Sequence, residues 1–219
     1  KTLTEPGKLV YFETPANPNM AILDIRTIAE TAHQQGTLVA VDNTFASPIN
    51  QKPLELGADL VLHSATKYLG GHSDLTAGAL MTSASLAKPV VAWRKNLGQL
   101  IAPETAALLS RSLRTLPLRV RQHNENAMAV AQAMEKHPKI TKVHYPGLPS
   151  FEGHELAKRQ MTGFGGMLSI EVGGGQQAAE KVADSLKVFL LATSLGGVES
   201  LIELPAIMPS GDPLWPGFW

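Results

Sequence analysis

Leu38-Val39-Ala40-Val41-Asp42-Asn43-Thr44 is the stretch from which the fold can be read. A short apolar run of this kind reads as a strand buried in a sheet, and here it ends on three polar residues. Upstream, Asp24 is placed to cap the start of a helix and Gly36 to stop it. Between them Ile25, Ile28, Ala29 and Ala32 share one helical face. Further upstream, Leu9 to Phe12 is a second buried strand. Downstream, Leu60 to His63 repeats the pattern and ends at Ser64, and Gly78 to Met81 predicts a fourth strand. Strand, helix and strand in units this short predict an α/β fold with a mainly parallel sheet and right-handed crossovers.

The texture changes after Ala84. Helical stretches are expected from about Pro103 to Thr115 and from Pro117 to His137, the second with Ala127, Val130, Ala131 and Met134 turned inward. Pro117 suits a first helical position. A strand from Ile140 to Val143, a Pro-Gly loop from Pro146 to Pro149 and a strand from Met167 to Val172 follow. A helix with Ala179, Val182, Ala183 and Leu186 on one face completes a second, α+β unit. The boundary is expected near Pro117, dividing the chain into residues 1–117 and 118–219.

Composition excludes several classes of function. The chain has 219 residues, 44% of them hydrophobic, with 19 Lys and Arg against 19 Asp and Glu. That balance is ordinary for a folded domain and leaves no basic footprint for nucleic acid or for an acidic membrane. The densest basic cluster, Arg111, Arg114, Arg119 and Arg121, reads as a solvated helix face. The absence of cysteine removes disulfides, thiolate metal sites and a cysteine nucleophile, and it fits a reducing cytoplasm. No apolar run reaches membrane-spanning length. His63, His72 and Asp74 lack the supporting pattern of a metal site, and none is expected. The glycine pairs fit neither a P-loop nor a dinucleotide fingerprint, which argues against a nicotinamide-dependent oxidoreductase.

Ligands of open α/β sheets bind at the carboxyl ends of the strands. Two polar clusters fall there: Asp42-Asn43-Thr44, and His63-Ser64-Ala65-Thr66-Lys67. A carboxylate beside a pyridinium nitrogen and a lysine able to form a Schiff base are the two protein groups that pyridoxal-phosphate (PLP) chemistry needs. Ser64 and Thr66 offer hydroxyls of the kind that bind a phosphate dianion. Taken alone, an aspartate after a strand is more often a turn or helix cap, and a lone loop lysine usually lies in solvent.

The combination is more specific. Glu13-Thr14-Pro15-Ala16-Asn17-Pro18, Val41-Asp42-Asn43-Thr44-Phe45, His63-Ser64-Ala65-Thr66-Lys67-Tyr68-Leu69 and Gly71-His72-Ser73-Asp74 resemble the Cys/Met-metabolism family of PLP enzymes. Tyr145-Pro146-Gly147-Leu148-Pro149, Gly163-Phe164-Gly165-Gly166-Met167 and Ser194-Leu195-Gly196-Gly197-Val198-Glu199-Ser200 extend the resemblance over nearly the whole chain. It implies the fold type I, aspartate aminotransferase-like architecture, with residues 1–117 as the carboxyl-side part of the large domain and 118–219 as an incomplete small domain. Lys67 is implied as the Schiff-base lysine and Asp42 as the partner of the pyridine nitrogen. Ser64 and Thr66 are implied at the phosphate, and Thr44 near the ring. Asn17 is implied at the cofactor's phenolic oxygen or the substrate carboxylate, Glu199 in the side-chain pocket, and Ser200 beside the lysine or substrate.

The implied activity is carbon–sulfur lyase chemistry of transsulfuration, cystathionine γ-lyase-like, on cystathionine or a related amino acid by γ- (or β-) elimination. The family also contains γ-replacement enzymes that use O-acylhomoserines. Its active sites are shared between subunits, which implies a cytoplasmic homodimer or homotetramer. Family members run to nearly twice this length, and Lys1 rather than methionine opens the chain. The expectation is therefore a fragment lacking an amino-terminal arm. Gly211 to Trp219 does not resemble the family's continuation, so no residue takes the role of its carboxylate-binding arginine. An inactive fragment that keeps part of the cofactor site is the reading that follows from these departures. Ser112 also stands where the family usually has glycine.

Overall fold

A computed structural model describes residues 7–204. β1 (Leu9–Glu13), α1 (Ile25–His33) and β2 (Leu38–Asp42) form the first crossover unit. The Asp24 carboxylate accepts from the Thr27 N–H at 3.0 Å and caps α1, as expected of an N-cap aspartate. Ile25, Ala29 and Ala32 are buried against Val39, Val41 and Val61. A short α2 (Ser47–Asn50) and a 3-10 turn (Pro53–Leu56) lead to β3 (Leu60–Ser64) and β4 (Gly78–Thr82).

The sheet order is β1-β2-β3-β4, with β1, β2 and β3 parallel and β4 antiparallel to β3. The parallel register sets Glu13 beside Asp42 and Asp42 beside Leu62. The ends of the three parallel strands therefore open onto one rim. One face of the sheet packs on α1, where Val39, Val41 and Val61 alternate inward. Residues of the other face, including Leu62 and Leu80, line an open cavity of about 370 Å³ whose far wall is α3 (Ala84–Asn96).

Helix α3 has no counterpart among the sequence expectations. Its start carries a cap, because the Ser83 hydroxyl accepts from the Leu86 N–H. Pro89 inside it, and the lack of any buried residue, hide the rest of the pattern.

Helices α4 (Pro103–Leu113) and α5 (Leu116–Glu135) match the two expected stretches, each shorter at its carboxyl end. α5 serves two cores. Leu116 and Val120 pack with Ala65, Tyr68 and Leu69 under the lysine-bearing turn. Ala127 and Ala131 pack with Val143, Tyr145 and Leu148. Val143 belongs to β5 (Ile140–His144), which follows α5. After α6 (His154–Gln160) comes β6 (Ser169–Val172), antiparallel to β5. α7 (Gly175–Ser185) precedes a small parallel pair, β7 (Leu190–Leu191) and β8 (Leu201–Ile202). Leu186, expected on the buried face of α7, is exposed, because the helix ends one residue earlier and Leu186 is already extended.

Amides stitch the two halves together. Asn50 and Asn124 exchange reciprocal side-chain hydrogen bonds of 2.9 Å. Asn124 Oδ1 also accepts from the Gly165 N–H at 2.8 Å, and the Tyr68 hydroxyl accepts from the Gly166 N–H at 2.9 Å. Among the described residues no helix is long and apolar enough to cross a membrane. Gly211 to Trp219 lie outside the described residues.

Candidate active site

Asp42 is the last residue of β2, and both of its carboxylate oxygens are held. The Thr44 N–H donates to Oδ1 at 2.9 Å, and the Tyr11 hydroxyl donates to Oδ2 at 3.1 Å. Thr44 passes the connection on: its hydroxyl oxygen accepts from the Ser64 N–H at 2.8 Å. The carboxyl ends of β2 and β3 are thus fastened through Asp42, Thr44 and Ser64. Asn43 between them is structural. Its side-chain amide donates to the Gln51 and Ser47 carbonyls at 2.9 and 3.2 Å.

Asp42, Ser64 and His63 border the cavity, whose far wall carries Arg94 beside the apolar Ala87, Val90 and Val91. His63 is 4% exposed. Its Nε2 is buried without a hydrogen-bond partner among the described residues. Burial lowers its pKa to about 4, against an opposing pull from the Asp42 charge. The imidazole is therefore neutral at physiological pH. Beside Asp42, burial raises the Glu13 carboxyl above its ordinary value; the Asn17 N–H on Glu13 Oε1, at 3.0 Å, opposes that and the Asp42 charge adds to it.

The turn carrying Lys67 winds tightly. The Lys67 N–H donates to the Ser64 carbonyl at 3.1 Å, Gly70 N–H to Ala65 at 2.7 Å, and Gly71 N–H to Lys67 at 2.7 Å. A side chain on Gly70 would meet the Ala65 carbonyl and Leu75, so the turn closes only with glycine there. Lys67 is half-buried, and its Nζ donates to the Ser194 hydroxyl at 3.1 Å. Among the described residues no carboxylate lies within ion-pair distance of it. A partly desolvated amine held by a neutral hydroxyl suits covalent chemistry better than a structural ion pair.

The remaining predicted residues are placed less uniformly. Ser64 borders the cavity. The Thr66 hydroxyl is engaged with Ala77, accepting from its N–H at 3.1 Å and lying 3.4 Å from its carbonyl. Asn17 is exposed beyond the end of β1. Glu199 is exposed and accepts from the Ser73 hydroxyl at 3.1 Å. Ser200, expected beside the lysine or substrate, gives its carbonyl to the Leu190 N–H at 2.9 Å. The hydroxyl that meets Lys67 belongs to Ser194. Its φ of 102° is strained for a residue other than glycine.

Three contributors had escaped the sequence reading. Ser194 lies 127 residues from Lys67, and nothing local marks the pairing. Tyr11 alternates with Glu13 on β1, so the period of two does place it on the Asp42 face. Arg119, read as part of a solvated cluster, is a clamp. Its Nη1 donates to the Tyr68 carbonyl at 2.8 Å, its Nη2 to the Ser112 carbonyl at 3.0 Å, and its Nε to the Thr115 hydroxyl at 3.1 Å. Ser112, at the usual glycine position, is buried with its hydroxyl 3.3 Å from His72 Nδ1.

The chain is similar to known proteins in sequence and fold. A family model described as "Cys/Met metabolism PLP-dependent enzyme" matches residues 1–212. The cystathionine gamma-synthase of Mycobacterium tuberculosis is 51% identical over 207 residues, 94% of this chain and 53% of that protein. The cystathionine beta-lyase of Lactococcus lactis is 48% identical over 205 residues, 93% of this chain and 54% of that protein. The solved structure of cystathionine gamma synthase from Xanthomonas oryzae pv. oryzae, in complex with aminoacrylate and cysteine, has a TM-score of 0.90 at 50% identity. That match covers 92% of this chain and 52% of the other. The chain spans about half the length of these relatives.

Proposed function

We propose, on the premise that the chain belongs to the Cys/Met-metabolism family of PLP-dependent enzymes, that it carries the cofactor lysine of a carbon–sulfur enzyme of transsulfuration. The substrate class is cystathionine or a related sulfur amino acid. The observation that carries the reading is the convergence of Asp42, Thr44 and Ser64 on adjacent strand ends, with Lys67 following Ser64 in the same turn and its amine held by the neutral hydroxyl of the distant Ser194. These groups fit the family's cofactor: an amine with no carboxylate partner among the described residues for its aldehyde, and an oriented carboxylate for its ring nitrogen.

When bound, pyridoxal phosphate supplies an aldehyde for amines and a ring that accepts electrons from the substrate's α-carbon. The chain's residues do the rest. Lys67 would hold the cofactor, and its Nζ would take and return the substrate's α-proton. Ser194 holds that nitrogen in reach. Asp42 keeps a proton on the ring nitrogen, which demands a carboxylate rather than an amide. Ser64 offers its hydroxyl to the phosphate. The Thr66 hydroxyl, turned to Ala77, supports the turn and reaches the phosphate only by exchanging that partner. Thr44 would stand near the ring, and Asn17, Glu199 and Ser200 would serve the substrate. Residues up to about Pro117 form the large-domain part and those beyond it the small-domain part. The assembled enzyme is a homodimer or homotetramer of the cytoplasm.

The kind of reaction is a finer step. γ-Replacement is favoured by the 51% and 50% identities with two enzymes named cystathionine gamma-synthase. One set of assays decides the class and the step. The full chain with PLP should develop a visible absorption band, and borohydride should fix the cofactor on Lys67, located by peptide mass. Cystathionine formed from an O-acylhomoserine and cysteine marks replacement. From cystathionine, 2-oxobutyrate marks γ-elimination and pyruvate marks β-elimination. Absence of the band, or cofactor fixed on another lysine, defeats the cofactor reading. A band with no product from any substrate defeats the enzyme reading and leaves a cofactor-binding chain.

A further inference from the structure

We infer that Tyr11 is a positioning residue of the site, its hydroxyl fixing the outer oxygen of the Asp42 carboxylate; the inference rests on the role proposed for Asp42. The parallel register sets Tyr11 opposite Ala40 and Glu13 opposite Asp42. With a period of two, Tyr11 stands on the face toward which Asp42 points, one diagonal step from it. Its phenol donates to Oδ2 while the Thr44 N–H donates to Oδ1.

Two donors on different oxygens do what one cannot. The terminal torsion of an aspartate is broad and roughly two-fold, so a single donor leaves the carboxylate plane loosely set. With the second donor, from another strand, the plane is fixed. Each oxygen still has a lone pair open, so a ring nitrogen can share the group. A core tyrosine buries its ring; the residue here is 57% exposed. The ring contributes little to folding, and among the described residues the hydroxyl's hydrogen bond goes to Asp42. The neighbouring charged and titratable groups are Glu13 on β1, Asp42 on β2, His63 on β3 and Arg94 on α3. Partial burial, followed by the Asp42 charge and hydrogen bond, pushes the phenol above its ordinary value.

The contact is readable without the cofactor. The chain has three tyrosines. Burial pushes Tyr68 up to about 12 and Tyr145 higher still. In an alkaline titration of the cofactor-free chain followed by phenolate absorbance, Tyr11 should therefore ionise first. Asp42→Asn should lower the midpoint of that first step by about 0.5 pH unit or more. Tyr11→Phe should delete the step.

With cofactor, Tyr11→Phe should weaken PLP binding by about fivefold, the worth of one hydrogen bond, with an unchanged urea midpoint. In an Asp42→Ala background the same change should have no further effect. A first step unmoved by Asp42→Asn overturns the inference, as does an equal loss of PLP affinity with and without Asp42. Failure of the wild-type chain to bind PLP defeats the proposed cofactor role of Asp42, and with it the positioning role of Tyr11, even where the titration shows the two side chains in contact.

Discussion

Arg119→Ala should be one of the costlier substitutions outside the site itself. The guanidinium is half-buried and donates to the carbonyls of Tyr68 and Ser112 and to the hydroxyl of Thr115. Hydrogen bonds to a charged group contribute roughly 1.5–3 kcal/mol each. The Thr115 bond lies in solvent and is worth little once water replaces it. Discounting the two carbonyl bonds by about half for access of water leaves about 1.5–3 kcal/mol. With a urea slope of about 2 kcal/mol per molar, the unfolding midpoint should fall by roughly 0.75–1.5 M. The contact has a second handle in Gly71. Its φ is +70°, and a Cβ there would overlap Arg119 Nη1. Gly71→Ala alone should cost the left-handed strain, about 1–2 kcal/mol, plus the steric clash. In the Arg119→Ala background the clash disappears, so the double variant should cost at least about 1 kcal/mol less than the sum. Tryptophan fluorescence against urea reads all four proteins. A loss below about 0.5 kcal/mol for Arg119→Ala, or strict additivity of the two changes, would refute the clamp.

Ser194→Gly should keep the backbone in its left-handed conformation while deleting the hydroxyl that meets Lys67. Turnover should fall by about tenfold or more with an unchanged or higher unfolding midpoint, a split that a purely structural serine would not produce. Asn124→Ala should leave the amide of Asn50, which is 2% exposed, without its partner, and should cost about 2–3 kcal/mol in urea unfolding. His63 should make stability pH-dependent. Its folded pKa, about 4, lies below the ordinary value of 6.5, so only the unfolded chain takes up the proton between them. The stabilisation from the neutral imidazole is complete above about pH 6.5 and is lost as pH falls toward about 4, about 3 kcal/mol in all. Urea unfolding of wild type and His63→Leu at several pH values in that window should show the wild type losing stability faster; parallel profiles would exclude the effect.

Strands β1, β2 and β3 were legible to within a residue because each is a short apolar run bounded by turn-forming residues. The direction of β4 was not, since an apolar run carries no sign of whether its neighbour is parallel. Helix α3 was hidden because none of its residues is fully buried and Pro89 interrupts it; the Ser83 cap was the one local signal. At the site, Asp42 and Lys67 stand out only through the motif segments around them, since either alone reads as a cap or a solvated lysine. Ser194 does not, because its contact with Lys67 exists only once a distant loop has folded back. Arg119 reads as one more surface cation until the turn it grips is in place.

The motif residues also divide their labour in a way that a motif alone conceals. In Asp42-Asn43-Thr44, only the first side chain is turned wholly to the rim; Asn43 ties the following turn and Thr44 holds the Ser64 amide. In Ser64-Ala65-Thr66-Lys67, Ala65 is buried in the core and Thr66 binds Ala77. The spacing of such a motif therefore records packing as much as chemistry. Lys67 illustrates the consequence. Its amine has a single hydroxyl partner, whereas its backbone is gripped by Ser64, Gly71 and, through Tyr68, by Arg119. The turn fixes the Lys67 backbone, while Ser194 holds the nitrogen at the end of a long, flexible stem. Substitutions at Gly70 or Gly71, which touch no reacting group, should then lower the yield of borohydride-fixed cofactor on Lys67 more than Thr66→Val does. A larger loss at Thr66 would show that the hydroxyl leaves Ala77 for the phosphate and that the turn is secondary.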